Sequence, residues 1–208
     1  MSTTESSAQG ARHVVIVGGG TSGNVLARRL IDAGRRVTLI EAGARDLNPA
    51  IHDPSRMGEL WHSPEDWDFY TVPQDHAGGR RLHLPRGRVL GGSHALNATI
   101  WVRCAPEDFD GWAAAGCDGW AWSDVLPIYR AVEDSNHGPS ELRGVGGPMP
   151  VRDDIPLQPI QASIVDAAVQ AGHPRNPDYN GATLDGISQE QVTIVDGVRV
   201  TSYSAYLR

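Results

Sequence analysis

Apolar positions open the chain in a strand–helix–strand rhythm. His13-Val14-Val15-Ile16-Val17 is a β-branched run, the pattern of a parallel strand buried on both faces. Residues 24–33 then place Leu26 with Leu30 and Ala27 with Ile31 at i,i+4 spacing, which predicts a helix with one packed stripe, and Gly34 supplies its stop. Val37-Thr38-Leu39-Ile40 reads as a second strand ending in Glu41. From Ala42 to Leu84 no periodicity persists, and a stretch of that length inside a compact protein predicts a functional covering loop over 44–84, packed down by Trp61, Trp67, Phe69 and Tyr70. Pattern returns at 106–115, with Phe109, Trp112 and Ala113 on one face. It continues from the N-cap Ser123 to about Asp134, with Val125, Ile128, Tyr129 and Val132 at i, i+3, i+4, i+7, and again at 160–171 before Gly172. Residues 138–150 form a Gly/Pro loop. Gln191–Val195 and Val198–Thr201 flank Asp196-Gly197, a strong hairpin signal.

Two glycine runs change this picture. Gly18-Gly19-Gly20-Thr21-Ser22-Gly23 fits G-x-G-x-x-G between a strand and a helix. In that setting Gly18 permits the tight turn, Gly20 lets backbone approach a pyrophosphate, and Gly23 lets helix and strand pack closely. The helix start offers free N–H groups and a positive dipole end to phosphates. Glu41, 18 residues after Gly23, is placed to accept hydrogen bonds from a ribose 2′/3′-diol and would repel a 2′-phosphate. The motif serves FAD and NAD equally, since both carry an ADP half. The second run, Pro85-Arg86-Gly87-Arg88-Val89-Leu90-Gly91-Gly92-Ser93-His94-Ala95-Leu96-Asn97, holds three glycines in six residues and lets backbone lie against something flat or phosphorylated.

Composition narrows the class. Eighteen basic against 25 acidic residues leave a net charge of −7 over 208 residues, which disfavours nucleic acid or an anionic membrane as partner. Arg80, Arg81, Arg86 and Arg88 suit phosphates better than DNA. No apolar window reaches membrane-spanning length, and residues 1–11 read as a flexible tail without a signal-peptide core. Cys104 and Cys117 have neither metal nor disulfide spacing and suggest free thiols in the cytoplasm. The histidines share no ligand spacing either, so no metal site is expected.

The chain resembles the amino-terminal part of the glucose–methanol–choline (GMC) oxidoreductases, a family of FAD-dependent alcohol oxidases and dehydrogenases. The resemblance rests on Gly18–Gly23 with Glu41-Ala42-Gly43, Gly87–Ser93 leading to Asn97, Asp108-Phe109-Asp110-Gly111-Trp112, Gly119-Trp120, Asp124-Val125-Leu126-Pro127 and Ser204-Ala205-Tyr206-Leu207. It implies an α/β fold: a Rossmann-type FAD-binding domain over 12–150, with a parallel sheet incomplete in this chain. Residues 151–208 would then start an α+β substrate-binding domain. It implies cofactor contacts at Gly18, Gly20, Thr21, Ser22, Gly23, Glu41, Ala42, Gly43, Trp61, Arg88, Gly91, Gly92 and Ser93, and at Asn97, Ala98, Thr99 and Ile100 beside the flavin ring.

Some members tether the flavin through a histidine immediately before the position matching Asn97. Leu96 stands there and cannot form that link, so the resemblance implies non-covalent FAD, with His94 a polar neighbour. The family's catalytic histidine, paired with a second His or an Asn, lies further along a chain two to three times longer. The general base is therefore expected outside these 208 residues, on a companion polypeptide or a further carboxyl-terminal segment. The implied activity is oxidation of a small alcohol by hydride transfer to flavin N5. Two alternatives stay open: a flavin-containing hydroxynitrile-lyase-like enzyme of the same fold, and a non-catalytic FAD-binding subunit.

Overall fold

The computed structural model describes residues 12–208. They divide into two compact units, one comprising the chain up to Ile51 with 55–96 and 201–208, the other 52–54 with 97–200. The boundaries between these units fall at 96/97 and 200/201, and the last helix belongs with the amino-terminal unit.

In the first unit, β1 (His13–Val17) pairs in parallel with β2 (Arg36–Ile40), Val14 opposite Val37 and Ile16 opposite Leu39, with α1 (Thr21–Asp32) as the crossover. The helix starts three residues earlier than its apolar stripe implies, so Thr21, Ser22 and Gly23 are its first turn and not loop. The nucleotide-type crossover is thus present, as a two-stranded parallel sheet. Expected burial on both faces is corrected: among the described residues Ile16 is buried, while Val15, Val17 and Ile40 stay at least half exposed.

The aperiodic 42–84 stretch contains α2 (Pro49–His52), two 3-10 segments at 54–60 and 75–77, and the antiparallel pair β3 (Phe69–Tyr70) and β4 (His83–Leu84). The unit's core gathers Ala50, Ile51, Leu60, Val89, Ala95 and Leu96.

In the second unit, α3 (Pro106–Ala114) packs on α4 (Trp122–Val132) through Phe109, whose ring meets Trp112 edge-on and lies 6.0 Å from Tyr129. Ala121, not Ser123, is the cap residue of α4, and the Asp124 carboxylate accepts its N–H. Helix α4 stops at Val132, where β5 (Glu133–Ser135) pairs in parallel with β6 (Met149–Val151), two strands not expected from the pattern. Helix α5 (Pro159–Gln170) follows. Then β7 (Ile194–Val195) and β8 (Val198–Arg199) close on Asp196 and Gly197 at φ 51° and 76°, the paired left-handed residues that a two-residue hairpin turn requires.

The short helix α6 (Ser202–Tyr206) belongs to the first unit and packs on α1. Buried Asn24 ties them, its side-chain amide donating to the Gly19 carbonyl and to Ser202 Oγ.

Candidate functional site

The first glycine run sits where β1 hands over to α1. Gly23 is the last residue of that turn, and a Cβ there would stand 1.9 Å from the Gly18 carbonyl oxygen, so no larger residue fits between helix and strand. The second run is laid across the first. Gly91 N–H donates to the Gly19 carbonyl at 2.8 Å, and a Cβ on Gly92, already at φ 57°, would come within 2.7 Å of Gly20 Cα. A Cβ on Gly20 would meet protein only at 3.9 Å, so the space above that residue is open. The N–H groups of Thr21, Ser22 and Gly23 lie at the helix start, where no intrahelical acceptor exists.

Glu41 binds these parts together. Its carboxylate accepts the Gly19 N–H at 2.7 Å with one oxygen and the Gly43 N–H at 2.8 Å with the other. A carboxylate has about four lone-pair sites, so each oxygen keeps capacity for a ligand hydroxyl.

The resulting cleft has a volume of about 820 Å³. Of the expected residues, Gly18, Gly20, Thr21, Ser22, Gly23, Glu41, Ala42, Gly92 and Ser93 line it. Gly43 and Gly91 stand behind this lining as backbone supports. Arg88 projects its guanidinium over the Trp67 ring at 5.3 Å, and Trp61 is 41% exposed outside the cleft. Asn97, Ala98, Thr99 and Ile100 fall in the second unit. There the Asn97 side chain accepts from Thr99 N–H at 3.0 Å and from buried Arg199 at 3.0 Å, which fixes Thr99 at φ 64°. His94 lies in the 3-10 turn 92–95. Leu96 is in the first unit's core.

The cleft also takes Arg86 and Gly87, from the arginine cluster and glycine run expected near phosphates, and Val17, Ile40, Trp67 and Phe69, which the pattern did not single out for this role. Trp67 and Phe69, two apart in sequence, stack at 5.7 Å as an aromatic wall. Their alternation is the one sequence signal that could have marked them. Gly87 is held by its N–H donating to Ser93 Oγ at 3.1 Å.

Asp66 organises this wall from behind. Burial pushes its carboxyl up. Hydrogen bonds from the N–H groups of Arg86, Asp68 and His62, and from the His83 ring, outweigh that and hold it below its ordinary range.

Chemically, the cleft offers a helix start and loop N–H groups suited to anionic oxygens, a carboxylate at the end of β2 suited to a diol, and a flat aromatic side. That set fits a dinucleotide-type cofactor such as FAD, with no Cβ occupying the space over Gly20. Among the described residues no helix is long and apolar enough to cross a membrane.

Comparison with known proteins agrees with this geometry. The family model described as GMC oxidoreductase matches residues 12–208. The chain is 38% identical over 198 residues to an oxygen-dependent choline dehydrogenase of Photobacterium profundum, covering 93% of this chain and 35% of that protein. It is 39% identical over 196 residues to an alcohol dehydrogenase [acceptor] of Pseudomonas putida, covering 93% and 36%. Among solved structures, pyridoxine 4-oxidase from Mesorbium loti superposes with a TM-score of 0.90 at 36% identity, over 96% of this chain and 40% of that one. A formate oxidase of Aspergillus oryzae RIB40, studied for FAD modification, gives 0.83 at 30% identity over 95% and 37%. The chain therefore spans little more than a third of the length of these relatives.

Proposed function

The chain belongs to the GMC oxidoreductase family, and from that premise we propose that it forms the FAD-binding part of an enzyme that oxidises the CH–OH group of a small alcohol. The observation that carries this reading is the crossing of the two glycine runs at Gly20 and Gly92 beside the open cleft. When bound, FAD supplies a two-electron acceptor for hydride from the substrate carbon.

In this reading the N–H groups of Thr21, Ser22 and Gly23 hold the pyrophosphate at the positive end of α1. Glu41 keeps the first glycine loop in register through Gly19 and Gly43, and turns its remaining lone pairs to the adenosine ribose. Gly92 and Ser93 lie against the cofactor, Trp67 and Phe69 close one side, and Arg86 adds positive charge near the phosphates. By the family resemblance the backbone of Asn97, Ala98, Thr99 and Ile100 would serve the flavin ring; within the second unit the Asn97 carbonyl and side chain are anchored by Arg199. Gly43, Gly91, Arg88 and Trp61 act from behind or beside the cleft.

The flavin is held without a covalent bond, because Leu96 is a buried aliphatic residue with no nucleophilic atom. The base that takes the alcohol proton comes from the part of the family fold that this chain does not span, on a companion polypeptide or a further segment. Residues 151–200 belong with that substrate-binding part, while 201–208 pack within the first unit. Cys104 and Cys117 are free thiols, in keeping with a cytoplasmic enzyme.

Two measurements test this. Protein supplied with FAD should be yellow, and acid or heat denaturation should release all the chromophore into the supernatant. Flavin left on the precipitate sinks the non-covalent assignment. Combined with the carboxyl-terminal part of the fold, the protein should lose its yellow colour anaerobically on addition of an alcohol. An unchanged flavin spectrum with a panel of primary alcohols sinks the oxidation assignment.

A further inference from the structure

His62, Asp68 and His83 are scattered over 21 residues, yet the fold brings one ligand atom from each within 4.8 Å of the others. The convergence is on a single oxygen. Asp68 Oδ1 lies 2.6 Å from His62 Nδ1 and 3.4 Å from His83 Nε2. The two imidazoles stack at 3.9 Å between centroids, so both present nitrogen to the same carboxylate.

We propose that these three side chains bind one divalent transition-metal ion of borderline hardness, of which Zn²⁺ is the reference case. Two imidazoles and one carboxylate are the donor set that Zn²⁺, Ni²⁺ and Cu²⁺ select, whereas Mg²⁺ and Ca²⁺ take oxygen cages. Tetrahedral Zn²⁺ with bonds of about 2.0–2.1 Å separates its ligand atoms by about 3.3 Å, so the 3.4 Å Asp68–His83 spacing fits as it stands and the 2.6 Å Asp68–His62 spacing must open. Water completes the fourth position, since the side chains of His62 and Asp68 are about half exposed, at 53% and 51%. An imidazole nitrogen ligates only when it carries no proton, so protons compete with the ion for these side chains.

The supporting shell is built. Asp66, whose side chain is fully buried, accepts the backbone N–H of His62 at 3.2 Å and of Asp68 at 3.1 Å. The same carboxylate also accepts from Arg86 N–H and from the His83 ring, each at 2.9 Å. His62 and Asp68 are both held at positive φ, 60° and 52°, by these bonds. One carboxylate thereby positions the backbone of two ligands, the arrangement that orients ligands in metal sites, and His83 Nε2 would exchange its Asp66 hydrogen bond for the ion. Asp68 sits between Trp67 and Phe69, so a bound ion would clamp the loop at 62 to β3 and β4 and stiffen the aromatic wall.

The test is calorimetric titration of ZnCl₂ into the chelator-treated full chain, with Co²⁺ absorption as a second readout. One equivalent should bind, and the ion should raise the melting temperature. His62→Gln and His83→Gln should each weaken binding by about 10-fold or more, while His76→Gln, on the same loop but outside the cluster, should bind as the parent does. Melting curves in EDTA establish that each variant is folded. Asp68→Asn serves as the third variant should either histidine change impair folding. Absence of stoichiometric binding, or binding that survives the ligand variants undiminished, overturns the site.

Discussion

Glu41 and Gly19 are joined by a 2.7 Å hydrogen bond from backbone N–H to carboxylate, across 22 residues of chain. The acid that ends β2 therefore shapes the glycine loop itself, in addition to any contact with a ribose. Glu41→Ala removes both the loop clamp and the diol acceptor. A hydrogen bond to a charged group is worth about 1.5–3 kcal/mol, so FAD affinity should fall by about one to two decades. Glu41→Gln should fall less, since its carbonyl oxygen can still accept from one N–H. Fluorescence titration with FAD measures both. Unchanged affinity in Glu41→Ala would remove the residue from the site.

Two helical glycines separate packing from propensity. Gly23→Ala drives a methyl to 1.9 Å from the Gly18 carbonyl. Overpacking of this kind costs about 1–3 kcal/mol, and FAD binding should fail with it. Gly111, inside α3, has nothing within 4 Å of a built Cβ and no positive φ. Gly111→Ala should stabilise by about 0.5–1 kcal/mol through helix propensity. Thermal melts of the two variants should shift in opposite directions.

Much of this was legible in sequence. The β1–α1–β2 crossover could be read because its signals are local: apolar runs, an i,i+4 stripe, and glycines at fixed offsets. The hairpin at Asp196-Gly197 was legible for the same reason. Helix α1 was begun too late, since Thr21, Ser22 and Gly23 carry no apolar stripe, and a first turn needs none. The pair β3–β4 was not legible. Each strand has two residues without periodicity, and their meeting depends on Asp66 gathering N–H groups from 62, 68 and 86. For the same reason the alternation of Trp67 and Phe69 alone marks a covering loop rather than the cleft, and nothing local joins His62 and His83 in one cluster. An apolar run such as Val14–Val17 records what a strand is suited to lie against. It does not specify which segment covers it.

The second unit rests on a buried charge cluster. Glu133, with no side-chain exposure, meets Arg103 at 2.5 Å and Arg143 at 3.2 Å, and Arg143 continues to Asp178 at 2.8 Å. Burial pulls the Arg103 guanidinium below its ordinary value, and the Glu133 charge opposes that shift. Removing one member leaves the others buried and uncompensated. Glu133→Gln should destabilise by about 3–5 kcal/mol, read as a lower urea midpoint at unchanged slope. A loss below about 1 kcal/mol would place these charges in a wetter setting than the structure gives.

Asp134, one residue on, titrates where it can be followed. Its carboxyl lies below the ordinary 3.8, chiefly because Gly146 N–H donates to it at 2.9 Å, with Arg152 adding a 2.7 Å ion pair. A depressed carboxyl contributes stability that is fully present above its unfolded value and lost as pH falls through its folded one. Asp134→Asn abolishes that contribution at every pH. The parent should therefore melt higher than the variant at pH 6, and the gap should close as pH drops below 3.8. Because part of the side chain is exposed, raising salt should narrow the gap at pH 6 as well. A gap that stays constant from pH 6 to below 3.8 would mean that Asp134 acts through shape and hydrogen bonding, and that its charge contributes nothing.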